Sequence, residues 1–395
     1  MRILVISEVF WPENFLINDL VREWKKEGYE VDIVSQYPSY PESYVYKGYT
    51  NKGNSVEMWE ESKIFRFPFI EGYKDSILRK VANYIMFAIK GKRLVRQILM
   101  GGGYDHVFIS QTGPLTVALP AVLNSKRFKT PVSIWTFDIW PDAVYSYGVP
   151  RWKIIDCLLS RFVRFVYNRC DNVFVSSKNF KDVLSKYTNK EIIYAPNWLQ
   201  ESKREKSSVR LDKEKINFTF AGNVSLYQNL LVTTIGFVKA NIDNAVLNIV
   251  GNGSAIAEII EYVQQNKISN VILHGRKPSQ EIEDILSQSD VLVLPLIDNE
   301  TVAKTEPLKL QTYLRVGKPI LGIVKGACKE IIEENHLGVC ANPSDVDNIA
   351  EGFRQILTLT DKDRQIIEQN TNNLLQTRFN KEQTVRKITD KISPP

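Results

Sequence analysis

At 395 residues the chain exceeds what one hydrophobic core comfortably fills, and 44% apolar with 24% charged content excludes a disordered or fibrous polypeptide. The four cysteines form no close pair and there are only three histidines, which argues against a disulfide framework or metal cluster and fits a reduced, cytosolic chain. The formal charge of +6 is all held between Lys74 and Arg96, where seven basic residues meet the single acid Asp75, and the balanced remainder excludes a general nucleic-acid coat.

The opening RILVIS is a short apolar run followed by Glu8 and Pro12, which reads as a first buried strand rather than a signal peptide. A helical stretch ending at Gly28 and the run VDIVS complete a βαβ unit. The basic segment predicts a helix with Ile77, Val81, Tyr84, Ile85, Ala88, Val95 and Leu99 on one face, interrupted by Lys92. Strands follow at HVFIS (106–110), VSIWTF (132–137) and NVFVSS (172–177), with helical segments between them. No stretch approaches the roughly 18 uninterrupted apolar residues of a membrane span.

IIYAPNWLQ (192–200) closes this half, and 201–215 is almost without apolar residues, as a solvated linker would be. The rhythm restarts at INFTFAGN (216–223), and strands recur at 245–251, 270–275, 290–296, 319–324 and 337–341. The alternation predicts an α/β chain of two doubly wound, Rossmann-like domains facing across a cleft: 1–200, a linker at 201–215, 216–375, and a tail at 376–395. The tail ends a single long helix over about 364–390, long enough to cross back to the first domain. In such sheets ligands bind beyond the carboxyl ends of the strands.

Three junctions of the second half suit an anion. Gly222 and Asn223 end a strand, with Gln228 before the next helix; Gly251 and Gly253 permit close backbone approach, with Ser254 as a helix cap. Pro307 opens a helix whose first amides, at Leu308 and Lys309, are free, so a lysine here points to phosphate. Each junction alone also fits a tight turn, and Lys309 a solvated surface lysine.

The ordered set "GN"…Q, IVGNG, VILHGR, DVLVLP and PLKLQTYLRVGKPIL resembles the retaining glycosyltransferases of GT-B fold, family four. ISEVFWPEN, GYEVDIVSQYPSYP and DIWPDAV resemble its bacterial surface-polysaccharide subgroup, which includes O-antigen and capsule N-acetyl-L-fucosamine transferases. The resemblance implies that the second domain binds a nucleotide sugar, a UDP-sugar, and that the first holds the acceptor. It places His274, Gly275 and Arg276 near the base, Pro307 to Thr312 around diphosphate and ribose, and Gly222, Asn223 and Gln228 on the opposite side of the leaving group. Family members often carry two glutamates eight residues apart where this chain has Lys304 and Thr312, with Glu306 nearby. They also often carry a basic pair where Asn223 and Gln228 stand; Lys304 and Lys309 then supply the missing charge.

Glycosyl transfer needs a stabilised leaving group, support for developing positive charge and a proton acceptor. Asp138, at the carboxyl end of VSIWTF, is the first choice for the proton, although it also suits bonding the turn that follows; Phe137 fills the family's histidine place. Asp142 and Glu13, with Asn14, are further acceptor-side candidates, and the departing phosphate can itself take the proton. The pairs Asp345–Asp347 and Asp361–Asp363 read as helix caps, so no metal or other cofactor is expected. Arg79, Lys80, Lys90 and Arg93 either solvate a helix or rest on anionic lipid, where a lipid-diphosphate-linked saccharide acceptor would be met. The resulting expectation is a cytoplasmic enzyme peripheral on the inner face of the plasma membrane. The alternatives are a UDP-sugar 2-epimerase of the same fold, or a non-catalytic subunit that binds sugar nucleotide or docks on membranes.

Overall fold

The computed structural model describes residues 1–146, 150–200 and 204–393. They fold as two compact units, Met1–Pro196 with Glu382–Pro395, and Asn197–Lys381. The first three positions of the expected linker, 201–203, lie outside the described residues.

The first unit is an eight-stranded sheet: β1 (Arg2–Ser7), β2 (Glu30–Gln36), β3 (Ser55–Trp59), β4 (Ser62–Phe67), β5 (His106–Gln111), β6 (Val132–Thr136), β7 (Asn172–Val175) and β8 (Ile192–Tyr194). Its order is β3-β4-β2-β1-β5-β6-β7-β8. Every pair is parallel except β3 on β4. The sequence pattern missed this edge hairpin, whose outer strand leaves Val56 and Met58 exposed and shows no apolar run. The central strands are buried on both faces, as their continuous apolar runs require.

The second unit is a six-stranded parallel sheet: β9 (Ile216–Ala221), β10 (Ala245–Val250), β11 (Val271–Gly275), β12 (Val291–Pro295), β13 (Ile320–Ile323) and β14 (Gly338–Ala341). Its order, β11-β10-β9-β12-β13-β14, reverses direction between β9 and β12. The corresponding reversal in the first sheet lies between β1 and β5. Crossovers leave opposite faces of the sheet at such a point, so the chain parts there and leaves room for a ligand at the carboxyl edge.

Three expectations are corrected. The basic helix, Ile77–Met100, buries only the end of the expected stripe, Val95 and Leu99: Asn83, Phe87, Gly91 and Leu94 face inward with them, while Ile77, Val81 and Ile85 are exposed. Both faces carry apolar residues, and two small features choose between them. Asn83 Oδ1 accepts from Ile70 N at 3.0 Å, and a β-carbon on Gly91 would meet Pro120 Cγ at 2.8 Å, so the helix packs where it has no side chain. The long C-terminal helix is two, Asp361–Gln376 and Lys381–Ile392. The chain breaks because Phe379 enters the core of the second unit and its amide returns to Leu374 O at 2.9 Å. The last helix packs on the first unit, where Trp24 Nε1 donates to Thr389 Oγ1 at 3.0 Å.

Residues 204–215 contain no helix or strand, yet they are not a free linker. Arg204 pairs with Glu283 at 2.6 Å, Ser207 donates to Glu281 and Asp284, and Leu211 is buried.

Candidate functional site

Three backbone segments are zipped together at the carboxyl edge of the second sheet. Gly222 N donates to Val250 O, Val224 N to Asn252 O and Gly251 N to Gly275 O. The glycines are needed by position: a β-carbon on Gly251 would stand 1.8 Å from Gly222 O, and one on Gly253 2.3 Å from Val224 O. Gly222 and Gly251 also hold φ of 142° and 152°, outside the range L side chains favour. A cleft of about 530 Å³ opens beside this zipper, lined by Gly222, Asn223, Gly251, Asn252, Arg276 and Gln280 among others. That volume lies in the range of small-molecule sites.

Lys309 rises into the same edge. It stands in the first turn of the helix Leu308–Val316, which follows Pro307 and has no side-chain cap on its free amides. Its ammonium donates to Gln228 Oε1 at 2.5 Å and lies 3.8 Å from the Phe220 ring centroid. A β-carbon on Gly222 would stand 2.8 Å from Lys309 Cε, so this glycine is also what lets the lysine in. No carboxylate among the described residues pairs with it, and desolvation drives its pKa down from 10.5 to about 7. A part-buried cation and free helix amides thus converge beside the glycine zipper, where an anion would restore the lost charge balance.

The other expected donor-side residues divide. Gly222, Asn223, Gln228, Gly251, Gly253, Gly275, Arg276, Pro307, Leu308 and Lys309 do gather at this edge. His274 instead turns to the sheet, with Nε2 2.8 Å from Asn248 Oδ1, and burial and Lys277 lower its pKa. Thr312 donates to Leu308 O within its own helix at 3.3 Å. Lys304 pairs with Glu300 at 3.1 Å. Glu306 is buried against Arg378 at 2.9 Å, an ion pair that ties the helix start to the chain after Gln376. Ser254 does not cap the next helix, which begins at Ile256 with Ala255 in the cap position. Asp345 caps its helix, and Thr360 forms a capping box with Asp363, as expected of both pairs.

At the carboxyl edge of the first sheet, Asp138 follows β6 and its carboxyl is raised to about 6, chiefly by desolvation and against the pull of Lys80. Glu13 is fully occupied by structure: Ser39, Tyr40 and Phe10 donate backbone amides to it at 2.7, 2.6 and 3.2 Å. Asn14 is exposed, and Asp142 pairs with Arg151 at 3.3 Å. The sequence reading missed Glu8, which ends β1 as Asp138 ends β6. The signal was present, since an acid stands directly behind RILVIS. Lys80, expected on a membrane face, is half-buried and close enough to Glu8 and Asp138 to feel both charges. Arg79 is exposed and pairs with Asp75 at 3.6 Å; Arg93 is exposed and Lys90 partly so.

Comparison with known proteins agrees with this architecture. The family model "Glycosyltransferase Family 4" matches residues 15–201, and "Glycosyl transferases group 1" matches 201–373. No curated protein is matched by sequence. Among solved structures, a sucrose-phosphate synthase from Thermosynechococcus elongatus is 14% identical over 98% of this chain and 97% of its own, with a TM-score of 0.69. An E. coli structure described as trehalose-6-phosphate bound with UDP-2-fluoro glucose is 12% identical over 100% of both chains, with a TM-score of 0.71. Anabaena HepE, in complex with UDP and glucose, is 11% identical over 99% of both chains, at 0.66. Identities this low show a shared fold. With both unit-length family models matched in order along its length, the chain belongs to the group 1 glycosyltransferases, family-four type, of GT-B fold.

Proposed function

We propose that this glycosyltransferase uses a UDP-sugar as donor, held at the carboxyl edge of the second sheet, and transfers the sugar with retention without a metal ion. The single observation that carries the reading is Lys309, a part-buried, desolvated ammonium with no counter-charge among the described residues, beside free helix amides. In the transfer, the bond between the anomeric carbon and the diphosphate oxygen breaks and its electron pair stays with UDP. The acceptor oxygen bonds the anomeric carbon on the face the phosphate left. Its proton passes to the departing phosphate or to Asp138. Lys309 and the free amides that open the helix Leu308–Val316 carry the negative charge that develops, which is the task a divalent cation performs elsewhere. Two solved structures of this fold, in complex with UDP-2-fluoro glucose and with UDP and glucose, support the donor class.

The acceptor belongs to the first unit in this reading, as a lipid-diphosphate-linked saccharide of bacterial surface-polysaccharide synthesis. The support is the Ile77–Met100 helix. Leu78, Val81, Ile85 and Ile89 form an exposed apolar line, and Lys92, Arg93 and Arg96 continue it as an exposed basic one. That is the composition of a helix lying in an anionic lipid interface. No described helix is long and apolar enough to cross a membrane.

A panel of UDP-hexoses and UDP-N-acetylhexosamines, scored for UDP release with and without a lipid-diphosphate-linked saccharide and with and without EDTA, tests the proposal. Acceptor-dependent UDP release insensitive to EDTA is expected. Epimerised donor without a glycoside product would establish the 2-epimerase alternative, and UDP binding without turnover of any donor the non-catalytic one.

A further inference from the structure

Glu8 lies at the carboxyl end of β1, the strand beside the reversal point of the first sheet, where that fold leaves room for a ligand. Its carboxyl accepts no hydrogen bond from any described residue, and burial beside Glu13 raises its pKa to about 7 despite Lys80 and Lys74. Glu8 is only part-buried, so its carboxyl, with no donor among the described residues, is open to hydroxyls brought by a ligand. Structural need does not explain it, because Glu13 already bonds the neighbouring loop.

The surroundings specify what would fit. Glu8 Oε2 lies 3.1 Å from where a β-carbon on Gly113 would stand, so the turn after β5 is trimmed to leave space for it. Gln111 Nε2 pins that same turn, donating to Gly113 O at 2.5 Å and Asp138 O at 3.0 Å. Glu8 and Asp138 therefore flank one short turn, and Lys80 feels both. Trp11 follows β1, and Tyr40 and Tyr44 follow β2; these three rings on the same sheet edge are 42%, 45% and 51% exposed. Acceptors of O–H bonds, the Lys80 ammonium and partly exposed aromatic rings, of which Trp11 stacks on Trp59 and Tyr40 lies under Lys74, are the chemistry that recognises an uncharged polyhydroxyl ring. A second carboxylate in the ligand would meet Glu8, Glu13 and Asp138 and be disfavoured.

We propose that Glu8 is an acceptor-binding residue, which with Asp138 and Lys80 grips hydroxyls of a neutral saccharide at the carboxyl edge of the first sheet. This rests on the assignment of the acceptor to the first unit. The probes are octyl glucoside and octyl glucuronide below their micellar concentrations, followed by saturation-transfer NMR, with UDP affinity measured on the same samples. Wild type is expected to bind the glucoside and not the glucuronide. Glu8→Ala should weaken glucoside binding at least tenfold, with Glu8→Gln intermediate. In both variants UDP affinity should stay unchanged, and the melting temperature should not fall, since no native bond is lost. A melting temperature that drops with both variants would make Glu8 structural and overturn the proposal. So would glucoside binding that is absent in wild type or equal in wild type and Glu8→Ala. Loss of UDP binding in wild type would instead defeat the donor reading, independently of Glu8.

Discussion

Lys309 is where the residue scale matters most. Its folded-state pKa of about 7 lies below the unfolded 10.5, so between those values the unfolded chain binds more protons and stability rises with pH. The burial penalty is complete below pH 7 and fades toward pH 10.5. Lys309→Met is therefore expected to raise the melting temperature of the ligand-free protein at pH 6, by on the order of 2 kcal/mol in stability, and to lose that advantage by pH 10. Thermal unfolding at the two pH values checks it; equal effects at both would mean the ammonium is not desolvated. The lysine was legible in the sequence because Pro307 marked the helix start two residues before it. The pairing of Lys304 with Glu300 was legible too, as a glutamate four residues before a lysine, and was overlooked; that of Glu306 with Arg378 was not, since it depends on where a residue 72 positions away comes to lie.

At the scale of elements, loops at strand ends do the binding and glycines let them approach. Gly251→Ala places a β-carbon 1.8 Å from Gly222 O, so the two strand-end loops must part. The expected result is a folded protein with UDP binding lost or weakened more than tenfold, checked by titration alongside circular dichroism. The Glu306–Arg378 pair is a different kind of element contact, fixing the helix start at Pro307 to the chain beyond Gln376. Arg378→Met takes the guanidinium from a buried carboxylate and should cost about 3–5 kcal/mol, whereas adding Glu306→Gln should restore much of it. Denaturant unfolding of single and double variants decides this, and additive losses would contradict the pairing. The central strands were readable because strands buried on both faces must be continuous apolar runs. The β3–β4 hairpin was not, because an edge strand half in solvent carries no such run. The buried face of Ile77–Met100 escaped detection for a related reason: with apolar residues all round, Asn83 and Gly91 made the choice, and neither is hydrophobic.

At the scale of the whole molecule, the net charge of +6 and its concentration along one helix gain meaning from the structure. Leu78, Val81, Ile85 and Ile89, which the helix leaves exposed, precede its basic residues Lys92, Arg93 and Arg96 in one line. Leu78→Glu with Ile85→Glu should abolish sedimentation with anionic vesicles at low salt while leaving the melting temperature unchanged, because both side chains are in solvent. Binding to vesicles unaffected by both substitutions would remove this helix from the interface. The two-unit α/β plan followed from the repeated strand–helix rhythm alone. Placing the last helix on the first unit required the break at Phe379, which a helical pattern continuing from 364 to 390 concealed.

Donor binding, as proposed, requires the second unit to grip a diphosphate through Lys309 and its neighbouring amides. Calorimetric titration of UDP into wild type and Lys309→Met at pH 6 and pH 9 tests it most directly. A diphosphate selects the protonated lysine, so wild-type affinity should fall between pH 6 and 9, and Lys309→Met should bind about 10–100-fold more weakly at pH 6. Equal affinity in the two proteins at pH 6 would contradict it.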